Sequence, residues 1–429
     1  MKKFFKSLAY LIPLIFFSSF NYSVKANIKS TINKAIVIEL DENNFQSLYT
    51  KSFIPRENVR KDLPVFNRSS NYISIRKQKG DITIPNKILP SNHGSFYYPH
   101  TTSLVDSKSV PLNGSSKNAI SSSKPYNAVG KIIMVKDGKG YTCSGSLIGK
   151  AVVSTAAFCL ARYGGNTATE VYFIPAATSN TSSNNYSGPI GIWKAKKLYI
   201  PACYKNGNCE SHSNGIINAN NIALFTLKLK NGKTPYEKGV HYLNYGWNNA
   251  GFTDKKDNFG IINVKKRAQI STLGYPQYLG NIGNNRGGAM IRTDSLAFIN
   301  IEKSKSGFGR KFEQYIWGSG KSTGGSDGSP VIINLGYQPN YDTLSIGAGK
   351  YRTANVVVGN LGWAYTNISR HVQGGSPFVQ NASYPDAKYK DNLGRNWGAG
   401  NIGFLMREVC GQGYGNGQSD GICLKNKNQ

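Results

Sequence analysis

A serine hydroxyl attacks a carbonyl at neutral pH only with a proton acceptor beside it. This chain holds few groups that could meet that need. Its five histidines, His93, His100, His212, His241 and His371, stand singly in the sequence. Each taken alone reads as a surface or hydrogen-bonded structural histidine. One glycine-rich stretch, "STGGSDGSPVI" from Ser322 to Ile332, sets Ser326 and Asp327 side by side with no histidine near them in sequence. Just upstream, "GSGKST" ends like a phosphate-binding loop. The first glycine of that pattern would have to stand at Tyr315, so the stretch reads as a turn. No two cysteines have the CxxC spacing of a zinc site, and nothing points to a metal or a cofactor.

Any such groups must be positioned by the rest of the chain. Its first residues, "MKKFFKSLAYLIPLIFFSSFNYSVKA", form a basic head, a short apolar run and a small-residue exit. That is the pattern of a secretory signal peptide, cleaved after Ala26. The apolar run is too short to span a bilayer, so the expectation is a soluble chain, secreted or periplasmic. Six cysteines in an exported chain point to disulfides. The formal charge is +30, and removing residues 1–26, with four lysines and no acidic residue, leaves +26. A surface this basic attracts polyanions of the cell envelope or of a host, though the lysines are scattered and read first as solvated faces.

Residues 27–124 read as an extension, propeptide or linker. They contain one strand-like run, "KAIVIEL", and charged, helix-compatible sequence around "DENNFQSLYTKSF". From about 90 to 124 the composition is Ser, Asn, Gly and Pro, too poor in aliphatics to bury a core. From Tyr126 onward come many short β-type runs separated by turn residues, among them "AVGKIIMV", "YTCSGSLIG", "AVVSTAAF", "IALFTLKL" and "SPVIINLG". This pattern predicts an all-β barrel or sandwich. A helical pattern appears only at Ala399–Cys410, in "AGNIGFLMREVC".

Several separated segments resemble one family, the chymotrypsin-fold (trypsin-like) serine proteases. "CSGSLIGKAVVSTAAFC" resembles the stretch of that family that ends in "TAAHC", and "NNIALFTL" resembles "NDIALLKL". "STGGSDGSPVI" is similar to "TTGGNSGSPVF" of the secreted bacterial glutamyl endopeptidases, a branch that also has "GYP", here in "LGYPQ" at Leu273–Gln277. "PYNAVGKI" at Pro125 resembles the start of that branch's catalytic domain. The resemblance covers about residues 126–363. It implies an all-β fold of two packed six-stranded antiparallel barrels with a C-terminal helix, beside a poorly ordered N-terminal extension. The protease-like domain would run over 125–412, followed by a disulfide-pinned tail at 413–429. The order of the cysteines and the resemblance together favour the pairs Cys143 with Cys159, Cys203 with Cys209, and Cys410 with Cys423.

Carried over residue by residue, the resemblance puts the catalytic histidine on Phe158, the aspartate on Asn221 and the serine on Asp327. All three are substituted. The ungapped alignment of the nucleophile loop gives Asp327; a one-residue insertion would give Ser326 instead. The oxyanion hole would be built from the backbone of Gly325 and Asp327, where the Asp327 carboxylate would compete with a developing oxyanion. A phenyl ring accepts no proton, so the leading expectation is an inactive pseudoprotease that binds a peptide or protein. The alternatives are an active endopeptidase with a displaced set such as Ser326 and His212, and a basic surface protein that binds polyanions. The branch's glutamate-recognising "GIHWGG" is not matched by "GNLGW", Gly359–Trp363, so specificity does not carry over.

Overall fold

In a computed structural model the described residues are 35–40, 100–105, 110–112, 115–117, 120–179, 186–212, 217–218, 220–252, 267–276, 289–304, 311–319, 325–336, 355–367, 370–379, 389–390, 396–397, 401–411 and 421–423. The expected signal peptide, the helix-compatible stretch after Leu40, His93 and most of the C-terminal tail lie outside them.

The first half of the chain supplies β1 (Ala35–Glu39), β2 (His100–Leu104), β3 (Val129–Lys136), β4 (Lys139–Leu147), β5 (Val152–Thr155), α1 (Ala157–Leu160), β6 (Glu170–Pro175), β7 (Trp193–Pro201), α2 (Ala202–Lys205) and β8 (Ala223–Leu227). The second half supplies β9 (Asn244–Tyr245), β10 (Arg267–Gly274), β11 (Ile291–Lys303), β12 (Lys311–Gly318), β13 (Pro330–Ile333), β14 (Val356–Asn367), β15 (Arg370–Pro377) and α3 (Asn401–Cys410). The apolar runs that look like strands in the sequence are strands, because β-branched and aromatic residues pack best on a pleated surface.

Six strands close the first barrel in the order β7–β8–β5–β4–β3–β6, with β6 pairing back onto β7. Six more close the second in the order β14–β13–β10–β11–β12–β15, with β15 pairing back onto β14. Every one of these barrel pairings is antiparallel. Closure removes the open edges that a flat sheet would expose.

The apolar core has three parts. Ile132, Phe173, Leu198 and Phe225 fill the first barrel. Ile270, Tyr315, Trp317 and Val331 fill the second. Between the barrels, Val129, Ile174, Leu273 and Val357 meet Phe404 and Leu405 of α3. The C-terminal helix therefore seals the seam between the barrels. The expected double-barrel fold with a C-terminal helix is the one observed.

Two pieces of the extension join the barrels. Strand β1 pairs with β7, Ala35 opposite Pro201 through Glu39 opposite Lys197, and the Glu39 carboxylate meets the Lys197 amine. Strand β2 pairs with β11, His100 opposite Ser295 through Leu104 opposite Ile291. Residues 100–104 were expected from composition to be linker. Strand pairing uses backbone N–H and C=O groups, so a polar segment can add to a sheet without supplying apolar side chains.

Candidate functional site

Strand β5 delivers the turn of α1, and the disulfide between Cys143 on β4 and Cys159 anchors that turn, which also carries Phe158. The other two expected disulfides, Cys203–Cys209 and Cys410–Cys423, are also formed, and no cysteine is free. Phe158 donates its backbone N–H to Asn221 Oδ1 at 2.9 Å. Its ring packs half-buried against the core of the first barrel. Thus Phe158 and Asn221 are joined through a backbone amide.

The third position lies on the turn Gly325–Ser329, and this turn is fastened to both barrels. Ser144 of β4 donates its N–H to the Asp327 carbonyl at 2.8 Å and its hydroxyl to the Gly325 carbonyl at 2.7 Å. The same hydroxyl accepts the N–H of Tyr275, in the "GYP" segment, at 2.9 Å. From the second barrel, Gly328 donates its N–H to the Leu361 carbonyl at 2.7 Å and Leu361 returns a bond to the Ser329 carbonyl at 2.8 Å. Gly328 has a φ of +83°, and a Cβ there would stand 2.1 Å from Thr155 Oγ1 and 2.3 Å from the Ser144 carbonyl oxygen. Only glycine fits this backbone at this closeness. Asn360 completes the seam, donating to Ser154 Oγ at 2.7 Å and to the Thr155 carbonyl at 2.9 Å.

A residue with no signal in the sequence completes the cluster. Lys136, at the end of β3, is 3% exposed. It donates from Nζ to the Phe158 carbonyl at 2.7 Å and lies 4.9 Å from the centre of the Phe158 ring and 5.2 Å from that of Tyr141. Cation–π contact with two rings and one carbonyl replaces part of the water the amine has lost. Burial brings its pKa down to about 8, with Arg162 pushing the same way and Asp137 and Asp327 opposing.

Asp327 shows the complementary effect. Burial pushes its carboxyl up to about 7, while the Lys136 charge and a hydrogen bond from its own backbone N–H hold it down. The hydroxyl of Tyr204, on α2, is buried among the same groups; desolvation and the nearby Tyr163 and Asp327 all raise its pKa. The cluster is therefore a buried amine and a buried carboxyl, each disfavoured by burial and each partly stabilised by the other's charge. Ser326 is buried in the same turn, its carbonyl accepting the Ser329 N–H at 3.0 Å.

Four histidines lie among the described residues. His100 opens β2 on the second barrel, and His241 donates its backbone N–H to Asn127 Oδ1, with burial lowering its ring pKa. The backbone of His212 pairs with Ile217, and that of His371 with Thr366.

The chain is similar to a thermostable serine protease, AL20, from an extremophilic microorganism: 19% identity over 59% of this chain and 92% of that one, TM-score 0.40. It is similar to the protease Anisep from Arthrobacter nicotinovorans, at 21% identity over 59% and 90%, TM-score 0.41. A Glu endopeptidase in complex with MPD gives 15% identity over 60% and 88%, TM-score 0.37. No family profile and no curated protein matches the chain. The fold is chymotrypsin-like. The two closed barrels and their strand order carry that statement.

A triad needs a base beside a hydroxyl and an acceptor that orients the base. Around Phe158, the cluster holds a phenyl ring, the neutral Asn221 amide and the Asp327 carboxyl. Lys136 escapes a sequence reading because it lies 22 residues from Phe158 and far from Asp327 along the chain.

Proposed function

We propose that this chain is an exported, catalytically silent relative of trypsin-like serine proteases that binds a peptide or protein segment in the cleft between its barrels. The observation that carries the reading is Phe158, whose ring stands under the Lys136 amine where a proton acceptor would be needed. The carboxyl of Asp327, taking the N–H of its own backbone, adds to it: that amide is the one an oxyanion would use. Both barrels and the seam between them are intact, and peptide affinity comes from strand pairing and pockets and not from a triad. Three disulfides support an oxidising compartment. Among the described residues no helix is long and apolar enough to cross a membrane. Strands β1 and β2, one on each barrel, support residues 27–124 remaining part of the folded molecule.

Purified protein is tested with a fluorophosphonate probe and a casein digest, beside a peptide display for binding. The expected result is binding without labelling or cleavage. Labelling or cleavage abolished by Ser326→Ala would establish instead an active enzyme with a displaced catalytic set. The basic surface favours a second, compatible reading, attraction to polyanions, which predicts retention on heparin at ~0.15 M salt and release at ~1 M.

A further inference from the structure

Six large apolar or aromatic side chains stand well out into solvent among the described residues: Val37, Leu104, Ile120, Leu229, Tyr236 and Ile301. Two of them fall in one short stretch, "KLKNGKTPYEK" from Lys228 to Lys238, which follows β8. Leu229 and Tyr236 are each 40% exposed. The same stretch carries four lysines, 228, 230, 233 and 238, against one acidic residue, Glu237. Lys233 and Lys238 are exposed, and Lys228 and Lys230 half-buried. Apolar exposure and positive charge therefore coincide at this corner of the first barrel.

The backbone holds the stretch in a fixed shape. Lys230 and Lys233 exchange bonds at 3.0 and 3.1 Å across the turn Asn231–Gly232, where both residues have positive φ. Leu227 donates its N–H to the Ala151 carbonyl at 3.0 Å and Tyr236 donates its own to the Lys150 carbonyl at 3.3 Å. Both arms thus return to one pair of residues, which brings a fifth lysine, Lys150, to the corner. The single carboxylate there is occupied: Glu237 accepts the Thr234 N–H and hydroxyl at 2.8 and 2.9 Å. Those bonds, and then Lys150 and Lys233, hold its pKa below the usual range. The Tyr236 ring rests against Tyr242, their centres 5.2 Å apart, and the Lys230 amine lies 5.0 Å from the centre of the Trp193 ring.

An exposed leucine gains little from a sugar or phosphate chain, whereas hydrocarbon takes it up favourably. A tyrosine suits the headgroup level, where its ring is buried and its hydroxyl stays wet. Lysines around such an insertion attract anionic headgroups while their stems lie along apolar surface. We propose that the Lys228–Lys238 corner docks on the surface of an anionic lipid bilayer. Leu229 and Tyr236 enter the headgroup region, and Lys150, Lys230, Lys233 and Lys238 meet lipid phosphates. The proposal rests on the same charge as the polyanion reading, and the two apolar side chains are what a lipid surface adds to it. Each lysine near the bilayer strengthens binding about fivefold, and each methylene withdrawn from water about fourfold.

The test sediments the exported chain with vesicles of phosphatidylcholine, alone or mixed equally with phosphatidylglycerol, at ~0.15 M salt. Pelleting with the anionic vesicles and not with the neutral ones is expected. Leu229→Ser and Tyr236→Ser, made together, are expected to weaken it by about tenfold or more while leaving heparin retention as it was. Lys230→Gln with Lys233→Gln is expected to weaken both. Ile301→Ser, at an exposed apolar position on the second barrel, is the control and leaves pelleting unchanged. Equal pelleting with neutral vesicles, or anionic-vesicle binding that survives Leu229→Ser with Tyr236→Ser, overturns the proposal. Retention on heparin with no pelleting on either vesicle also overturns it and leaves the polyanion reading standing. Failure on heparin and vesicles alike removes both.

Discussion

The Phe158 amide and the Asn221 side chain are 2.9 Å apart and hydrogen-bonded. A carboxylate at 221 would accept the same bond, so the contact survives whether or not the site is catalytic. What holds the first barrel to its α1 turn is separable from what would perform chemistry there.

That separation predicts the outcome of reverting the site. Phe158→His, Asn221→Asp and Asp327→Ser, each alone, are expected to give no fluorophosphonate labelling, because the parts of a triad act as a unit. The triple variant restores nucleophile, base and orienter on an intact scaffold and is expected to label at the new serine, identified by peptide mass. Labelling of Asn221→Asp or Asp327→Ser alone would show that a base other than residue 158 serves the site.

Stability should fall as pH rises through neutrality. In the folded chain Asp327 keeps its proton to about 7, whereas the unfolded carboxyl releases it near 3.8. Its contribution is therefore fully present below pH 3.8 and lost as pH rises through 7. Lys136 acts in reverse: its folded pKa is about 8 against 10.5 unfolded, so its contribution is present above 10.5 and lost as pH falls through 8. Between the two values both groups are charged and buried, and their attraction offsets only part of the desolvation. Asp327→Asn is expected to leave urea stability at pH 4 nearly unchanged and to raise it at pH 7.5 by on the order of 2–4 kcal/mol. Equal gains at both pH values would show that the buried carboxyl is not the cause.

Glycine is required at 328 and dispensable at 138. Both have positive φ, but a Cβ at 328 meets backbone and hydroxyl atoms near 2 Å, whereas one at 138 meets nothing within 4 Å. Gly328→Ala is expected to cost more than about 3 kcal/mol or to prevent folding, and Gly138→Ala about 1 kcal/mol, read from chemical denaturation. Similar costs at the two sites would remove the steric argument.

The Cys143–Cys159 bridge spans 16 residues and ties β4 to the turn carrying Phe158. Replacing both cysteines with alanine is expected to lower unfolding stability by about 2–4 kcal/mol, with β-sheet content in circular dichroism unchanged. Loss of the sheet signal would mean that the bridge is needed for the first barrel to form at all.

Much of the fold was open to reading before any coordinates. Runs such as "AVGKIIMV" and "IALFTLKL" became strands because local preference and burial agree there, and α3 begins two residues from its expected start. The cysteines paired with their near neighbours. Phe158, Asn221 and Asp327, picked out from motifs alone, lie close together: Phe158 bonds Asn221, and Lys136 links Phe158 with Asp327.

The sequence by itself therefore determined the strands and the bridges, both of which depend on short-range spacing. Only the tertiary structure decided what surrounds Phe158 and Asp327. Lys136 reaches Phe158 and Asp327 because barrel closure brings the end of β3 beside α1 and against a loop of the other barrel. Closure likewise turns Lys230 toward Trp193 across the β7–β8 pairing, and places β1 and β2 on separate barrels. Such contacts arise from pairings between distant segments, and their energies of burial and charge exist only once water has been excluded from the space they share.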